Sequence, residues 1–92
     1  MRVDKFLKLS RLVKRRAAAK EMTLVGAVRL NGRAAKPSAT VQGGDSIEVA
    51  YPRRVISALV ITTDEREIKR GAACASVTSE RRLAPDEKPW AM

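Results

Sequence analysis

GAVRLNG, Gly26 to Gly32, is the stretch on which the fold turns. Ahead of it, apolar residues recur at helical spacing. Within it, Val28 and Leu30 alternate with Arg29, and Asn31-Gly32 is a strong tight-turn signal, so a strand followed by a turn is the simplest reading. Gly26 therefore marks the change from helix to strand, and it suits the position just past a helix end, where the backbone must leave helical geometry.

Upstream, Lys14 to Val25 reads as a helix with Ala18, Met22 and Val25 on one face and Arg16 and Lys20, four apart, on the opposite side. Its alanines are the best helix formers, and they let the helix approach a neighbour closely while the long basic side chains stay outside. Before it, Val3, Phe6 and Leu7 recur at helical spacing, with Arg2, Lys5 and Lys8 projecting roughly opposite. Arg2 to about Leu9 is thus expected to form a short amphipathic helix, broken near Ser10. Asp4 at its start suits the positive end of the helix dipole.

Downstream, Lys36-Pro37-Ser38 interrupts the chain, Gly43-Gly44-Asp45 makes a second turn, and Ile47 and Val49 alternate in a second strand closed by Tyr51-Pro52-Arg53-Arg54. VISALVITT, Val55 to Thr63, is β-branched and almost continuously apolar, which predicts a third strand buried on both faces. Asp64 to roughly Ser76 is expected to form a short helix, and Leu83 to Met92 a mobile tail. The expected fold is α+β: two N-terminal helices packed on a small, mostly antiparallel sheet over residues 1–63, followed by a C-terminal helical or disordered extension over 64–92.

The charge is unevenly placed. Of 19 Lys and Arg, 13 fall in Met1 to Arg54 against 4 acidic residues, whereas Val55 to Met92 carries 6 of each sign. Such clustering points to a polyanion, because concentrated cations gain by releasing condensed counterions. With one Cys and no His, the chain offers no disulfide framework and no Cys/His metal site. No apolar run is long enough for a signal peptide or a membrane span. A cytoplasmic protein without a cofactor is expected.

An enzyme fits poorly: there is no phosphate-cradling glycine loop followed by Lys-Ser/Thr, and no carboxylate pair in a recognisable frame. A helix lying on anionic lipid is disfavoured because the short apolar face of Val3, Phe6 and Leu7 is needed by the sheet. Aromatics are scarce, with Phe6 on an apolar face, Tyr51 at a strand border and Trp90 in the tail, so stacking on single-stranded bases is not the expected mode. Structured RNA, read through fixed cations at phosphate spacing, fits the pattern better. Arg is the suited cation, since its planar guanidinium grips phosphate through two hydrogen bonds.

The ordered run R-x-D-K-F-L-K at Arg2 to Lys8, S-R-L at Ser10 to Leu12, K-R-R at Lys14 to Arg16, A-K-E at Ala19 to Glu21, G-x-V-x-L-N-G at Gly26 to Gly32, K-P-S at Lys36 to Ser38 and G-D-x-I-x-V at Gly44 to Val49 resembles the αL RNA-binding domain named for ribosomal small-subunit protein S-four. The resemblance covers roughly Met1 to Val60. With almost nothing else in the chain, it is most similar to free-standing ribosome-associated quality control factors of the RqcP type and to the fifteen-kilodalton heat-shock protein. That resemblance implies binding to rRNA and tRNA on large ribosomal subunits obstructed by peptidyl-tRNA, as a monomer, alongside a C-terminal tailing factor on the same particle. Ribosome assembly, general binding of structured RNA, or descent from an appendage of an RNA-modifying enzyme are the alternatives.

By position, the resemblance implies RNA contacts from Arg2, Asp4, Lys5 and Lys8 in the first helix, from Arg11, Lys14, Arg15, Arg16 and Lys20 in the second helix and its approach, and from Lys36 before Pro-Ser. Arg2 and Arg16 stand first among these. Asp4 cannot attract a phosphate: either it pairs locally, capping its helix or meeting Lys8, or it orients a neighbouring Arg or accepts from a ribose hydroxyl. Relatives often place a Tyr after the Ala pair, where this chain has Cys74 to Val77.

Overall fold

The computed structural model describes residues 1–90. Two helices, α1 (Val3–Leu9) and α2 (Arg16–Leu24), precede the strands β1 (Val28–Leu30), β2 (Arg33–Ala34), β3 (Ser46–Tyr51) and β4 (Arg54–Val60). A short helix α3 (Glu65–Lys69) and a strand β5 (Ala75–Arg82) complete the order. All five strands form one antiparallel sheet in the order β2-β1-β3-β4-β5.

The turn expected at Asn31-Gly32 is present, and it closes a hairpin of β1 and β2. Both residues have positive φ, 52° and 80°, the backbone of a type I′ turn. Its return strand, β2, is only two residues long and exposed, too short to show as alternation in the sequence. Asn31 does more than turn the chain: its side-chain oxygen accepts from the Ser46 backbone N–H at 2.9 Å and its amide donates to Asp45 at 3.1 Å. The L-N-G and G-D-x-I halves of the sequence pattern are one hydrogen-bonded unit, and it fixes the register of β1 on β3.

That register places Val28 opposite Val49, and Leu30 opposite Ile47, which in turn faces Ala58 on β4. Cross-strand partners share a face, so these residues form one apolar surface. Val3, Phe6 and Leu7 of α1 and Ala19 of α2 join the same core, all fully buried. The N-terminus of α1 has no side-chain cap, and its free N–H groups are satisfied by the loop after Lys36 instead: Val3 donates to Ala39 and Asp4 to Pro37. The K-P-S segment is thereby a structural cap that also carries Lys36 to the start of α1.

Several expectations are corrected. The second helix begins at Arg16, not Lys14, because Arg11 takes a left-handed backbone (φ 63°) that ends α1 and turns the chain through Leu12 to Arg15. Its buried face is Ala19 and Thr23, with Ala18 and Met22 at the margin and Val25 exposed. Thr23 can be buried because its hydroxyl donates to the Lys20 carbonyl at 2.6 Å.

The third strand stops at Val60, and it is covered on one face rather than two, leaving Leu59 and Ile61 exposed where continuous apolar character suggested burial. The helix expected over Asp64 to Ser76 is one turn, capped by the Asp64 carboxylate on the N–H groups of Arg66 and Glu67 and stopped before Gly71 (φ 97°). Ala75–Arg82 is a strand, β5, not a helix end and tail. Its residues are mostly exposed, as suits an edge strand whose polar side chains discourage further pairing, and this polarity hides it in the sequence.

The tail is also placed through residue 90. Leu83 is buried and its N–H donates to the Arg53 carbonyl, Arg81 is held by Glu87 and the Pro89 carbonyl, and the Trp90 indole N–H donates to the Gly26 carbonyl at 2.9 Å. The Arg29 guanidinium lies over the Trp90 ring, 4.6 Å from its centre. The expected mobile segment is therefore a strap running from β5 to the end of α2; Ala91 and Met92 lie outside the described residues.

Candidate nucleic-acid interface

The site begins with one buried carboxylate. Asp4 is 2% exposed, and its oxygens accept from Arg2 Nε at 3.2 Å, Arg2 Nη2 at 3.1 Å, Arg16 Nη2 at 3.3 Å and the Lys5 backbone N–H at 2.8 Å. Burial alone would push this carboxyl upward. The Arg2 hydrogen bonds, the Lys5 N–H and the charges of Arg16 and Arg2 outweigh it and hold the pKa below the usual 3.8. Both sequence readings of Asp4 are partly met: it accepts from the Lys5 N–H in its own first turn and bonds both arginines, but it does not meet Lys8.

Both guanidinium groups stay half-exposed, so each has N–H donors left for an anion. They line an open cavity of about 410 Å³ with Met1, Lys5, Thr63 and Glu65. Glu65, at the start of α3, meets Lys5 at 2.6 Å. The Lys5 hydrogen bond holds the Glu65 pKa below the usual 4.5. Lys5 is accordingly the one expected contact in this group already paired with a residue outside the two helices.

A second set sits beside the first. The chain enters α2 through Arg11, Lys14 and Arg15, all exposed, and Arg15 is the N-cap. No side chain caps this helix and no acidic residue lies in its first turn, so the positive end of its dipole adjoins Arg11, Lys14, Arg15 and Arg16, of which Arg16 is paired with Asp4. Dipole and cations together favour an anion there. Lys20 follows Arg16 by one turn and is exposed; Lys8 is exposed at the far end of α1. Lys36 is exposed in the loop that caps α1.

Ten residues singled out in the sequence thus divide into Arg2, Lys5 and Arg16 lining one cavity with Asp4 bonded to two of them, Arg11, Lys14 and Arg15 at the α2 entry, Lys20 one turn farther along α2, and Lys8 and Lys36 exposed elsewhere on α1 and in the loop that caps it. Three participants were not legible. Thr63 and Glu65 reach the cavity because α3 folds back against α1, and nothing in the local sequence announces that contact. Arg54 borders the α2 entry from the β3–β4 turn. The adjacent pair Arg53-Arg54 at a turn was its only signal.

Among the described residues, no cluster of His, Cys, Asp and Glu could hold a metal ion, and no helix is long and apolar enough to cross a membrane. Cys74 is free and buried, and burial pushes its thiol upward, away from reactivity.

Residues 1–47, which include every cation of both sets except Arg54, match the S4 domain family. The RQC P-site tRNA stabilizing factor of Bacillus subtilis is 41% identical over 73 residues, covering 79% of this chain and 85% of that protein. The factor of the same name from Streptococcus pneumoniae is 34% identical over 84 residues, 90% of this chain and 96% of that protein. In the solved trimeric structure of Vibrio cholerae Heat Shock Protein 15, a chain superposes with a TM-score of 0.73 at 26% identity, over 86% of this chain and 82% of that one. The chain belongs to the S4 domain family, in the group of small proteins that the RQC P-site tRNA stabilizing factors represent.

Proposed function

We propose that this protein binds structured rRNA and tRNA on the large ribosomal subunit, in the rescue of stalled translation with peptidyl-tRNA still on the subunit. The observation that carries this reading is the Asp4 carboxylate holding Arg2 and Arg16 side by side with their outer N–H groups free, next to the uncapped, cation-ringed start of α2. Fixed guanidinium groups bind phosphate without first losing rotamer freedom, and adjacent helix turns supply phosphate spacing. Relatives named for stabilizing a P-site tRNA support the same substrate.

Arg2, Arg16, Lys14, Arg15 and Lys20 make the phosphate contacts, with Arg11, Lys5, Lys8 and Lys36 at the margin; Asp4 positions Arg2 and Arg16 and does not touch RNA. These contacts lie within residues 1–63; from 64–92, Glu65 reaches the cavity and holds Lys5. The protein works by binding, without a catalytic step or cofactor, in the cytoplasm. It acts as a monomer on the particle, beside a factor that extends the nascent chain.

With around five phosphate contacts, affinity for a tRNA or rRNA fragment should fall several hundredfold between about 50 and about 200 mM salt. A flat salt response would remove the basis of the proposal.

A further inference from the structure

Beside the cationic entry to α2 lies an open groove of about 610 Å³ with an apolar floor that includes Leu12, Ala18 and Met22. Lys14, Arg15, Tyr51 and Arg54 also line it. This combination is unusual for a surface that only clamps a duplex backbone, since phosphates gain nothing from an apolar floor. Arg54 is held in place by two partners. Its guanidinium lies over the Tyr51 ring, 5.1 Å from the centre, and donates to Glu80 of β5 at 3.2 Å, while half of its side chain remains exposed. Tyr51 is fixed in turn, its hydroxyl donating to the Leu12 carbonyl.

We propose that this groove receives one unstacked nucleotide of the bound RNA, its base against the Arg54 guanidinium plane and the apolar floor, its flanking phosphates on Lys14 and Arg15. Three features favour that occupant. Four of its lining residues, Arg11, Lys14, Arg15 and Arg54, are cationic, which suits a nucleotide bearing phosphates. The groove is continuous with the proposed RNA surface through Lys14 and Arg15. A guanidinium held over an aromatic ring, with half of its side chain exposed, offers a surface on which an unpaired base can stack, one of the common ways in which proteins hold unpaired RNA bases. Tyr51 itself serves as the backing of the platform, which explains how a chain with so few aromatics could still hold a base.

The proposal rests on the RNA-binding reading above, and the test separates the two. Two RNA stem-loops of the same stem, one fully paired and one carrying a single bulged 2-aminopurine, are titrated with the full chain. The bulged RNA should bind roughly tenfold more tightly, within the range base stacking supplies, and the 2-aminopurine fluorescence should change on binding. Arg54→Lys, which keeps the charge but loses the plane, should abolish that preference, bringing the ratio of the two affinities to about one in a protein that circular dichroism shows to be folded. Equal binding of the two RNAs by the unaltered protein would overturn the nucleotide site and leave the groove to an apolar side chain of a protein partner, with the RNA function intact. A preference that survives Arg54→Lys would also overturn it. Failure to bind either RNA would overturn the function on which it rests.

Discussion

Asp4 of α1 and Arg16 of α2 stand twelve residues apart in sequence and 3.3 Å apart in space, and theirs is the ion pair that ties the two helices together. The same carboxylate binds Arg2, so one buried charge sets the spacing of two exposed ones. Asp4→Asn should keep every cation and lose their alignment. RNA affinity is expected to fall about tenfold, and folding stability by about 1–3 kcal/mol, as for the loss of charged hydrogen bonds that leaves no buried charge unpaired. Chemical denaturation and RNA titration of the same variant check both.

Acid should expose the same pair. The Asp4 pKa is lowered on folding, so the unfolded chain binds the proton more tightly and stability falls as protons are taken up. The contribution of Asp4 is complete above its unfolded value near 3.8 and is lost as pH drops through the lower folded value. Denaturation midpoints measured from pH 6 to about pH 2 should fall less steeply below pH 4 in Asp4→Asn than in the unaltered protein. Parallel curves would show that the carboxylate is not held in the folded state.

Arg11 occupies a backbone region that costs a side-chain-bearing residue about 1–2 kcal/mol, where glycine would be at ease. Arg11→Gly should therefore raise stability by roughly 0.5–1 kcal/mol, the relief being partly offset by glycine's larger entropy loss on folding. Arg11→Ala keeps the strain. Both should weaken RNA binding to the same extent, since both remove the cation; unequal weakening would assign Arg11 a backbone role alone.

The strap makes its own prediction. Trp90→Ala removes an indole hydrogen bond to Gly26 and the contact with Arg29, together about 1–2 kcal/mol. In the unaltered protein, Trp90 fluorescence and far-UV circular dichroism should report one coincident unfolding transition. Fluorescence that changes well before the backbone signal would mean that the strap detaches from a folded domain.

Core and turn set the background for these comparisons. Ile47→Ala should cost about 2–5 kcal/mol, because its side chain is fully buried between β1 and β4. Asn31→Ala should cost about 2 kcal/mol through two lost hydrogen bonds and a strained turn, without touching the cationic surface. Thermal melts of both variants give the check.

The elements that could be read from sequence were those whose local pattern agrees with their environment. Val3, Phe6 and Leu7 mark a one-sided helix, and Asn31-Gly32 after alternating residues marks a strand ending in a tight turn. Arg2 and Arg16 stood out by clustering and by resemblance, but the reason they act together lies in Asp4, whose partners are set by helix packing. What could not be read depends on distant pairing: β5 is polar because it lies at an edge, Leu59 and Ile61 are exposed because the helices cover only one face, and Trp90 is held by a carbonyl 64 residues away. Arg54 escaped notice for the same reason, since the groove it borders is assembled from α2, its approach and the β3–β4 turn.

Co-sedimentation with large ribosomal subunits carrying peptidyl-tRNA tests the central claim most directly. The unaltered protein should pellet with the particle at about physiological salt, and the variant Arg2→Ala/Arg16→Ala, folded by circular dichroism, should remain in the supernatant. A folded double variant that pellets as well as the unaltered protein would contradict the assignment of these two arginines as the RNA grip.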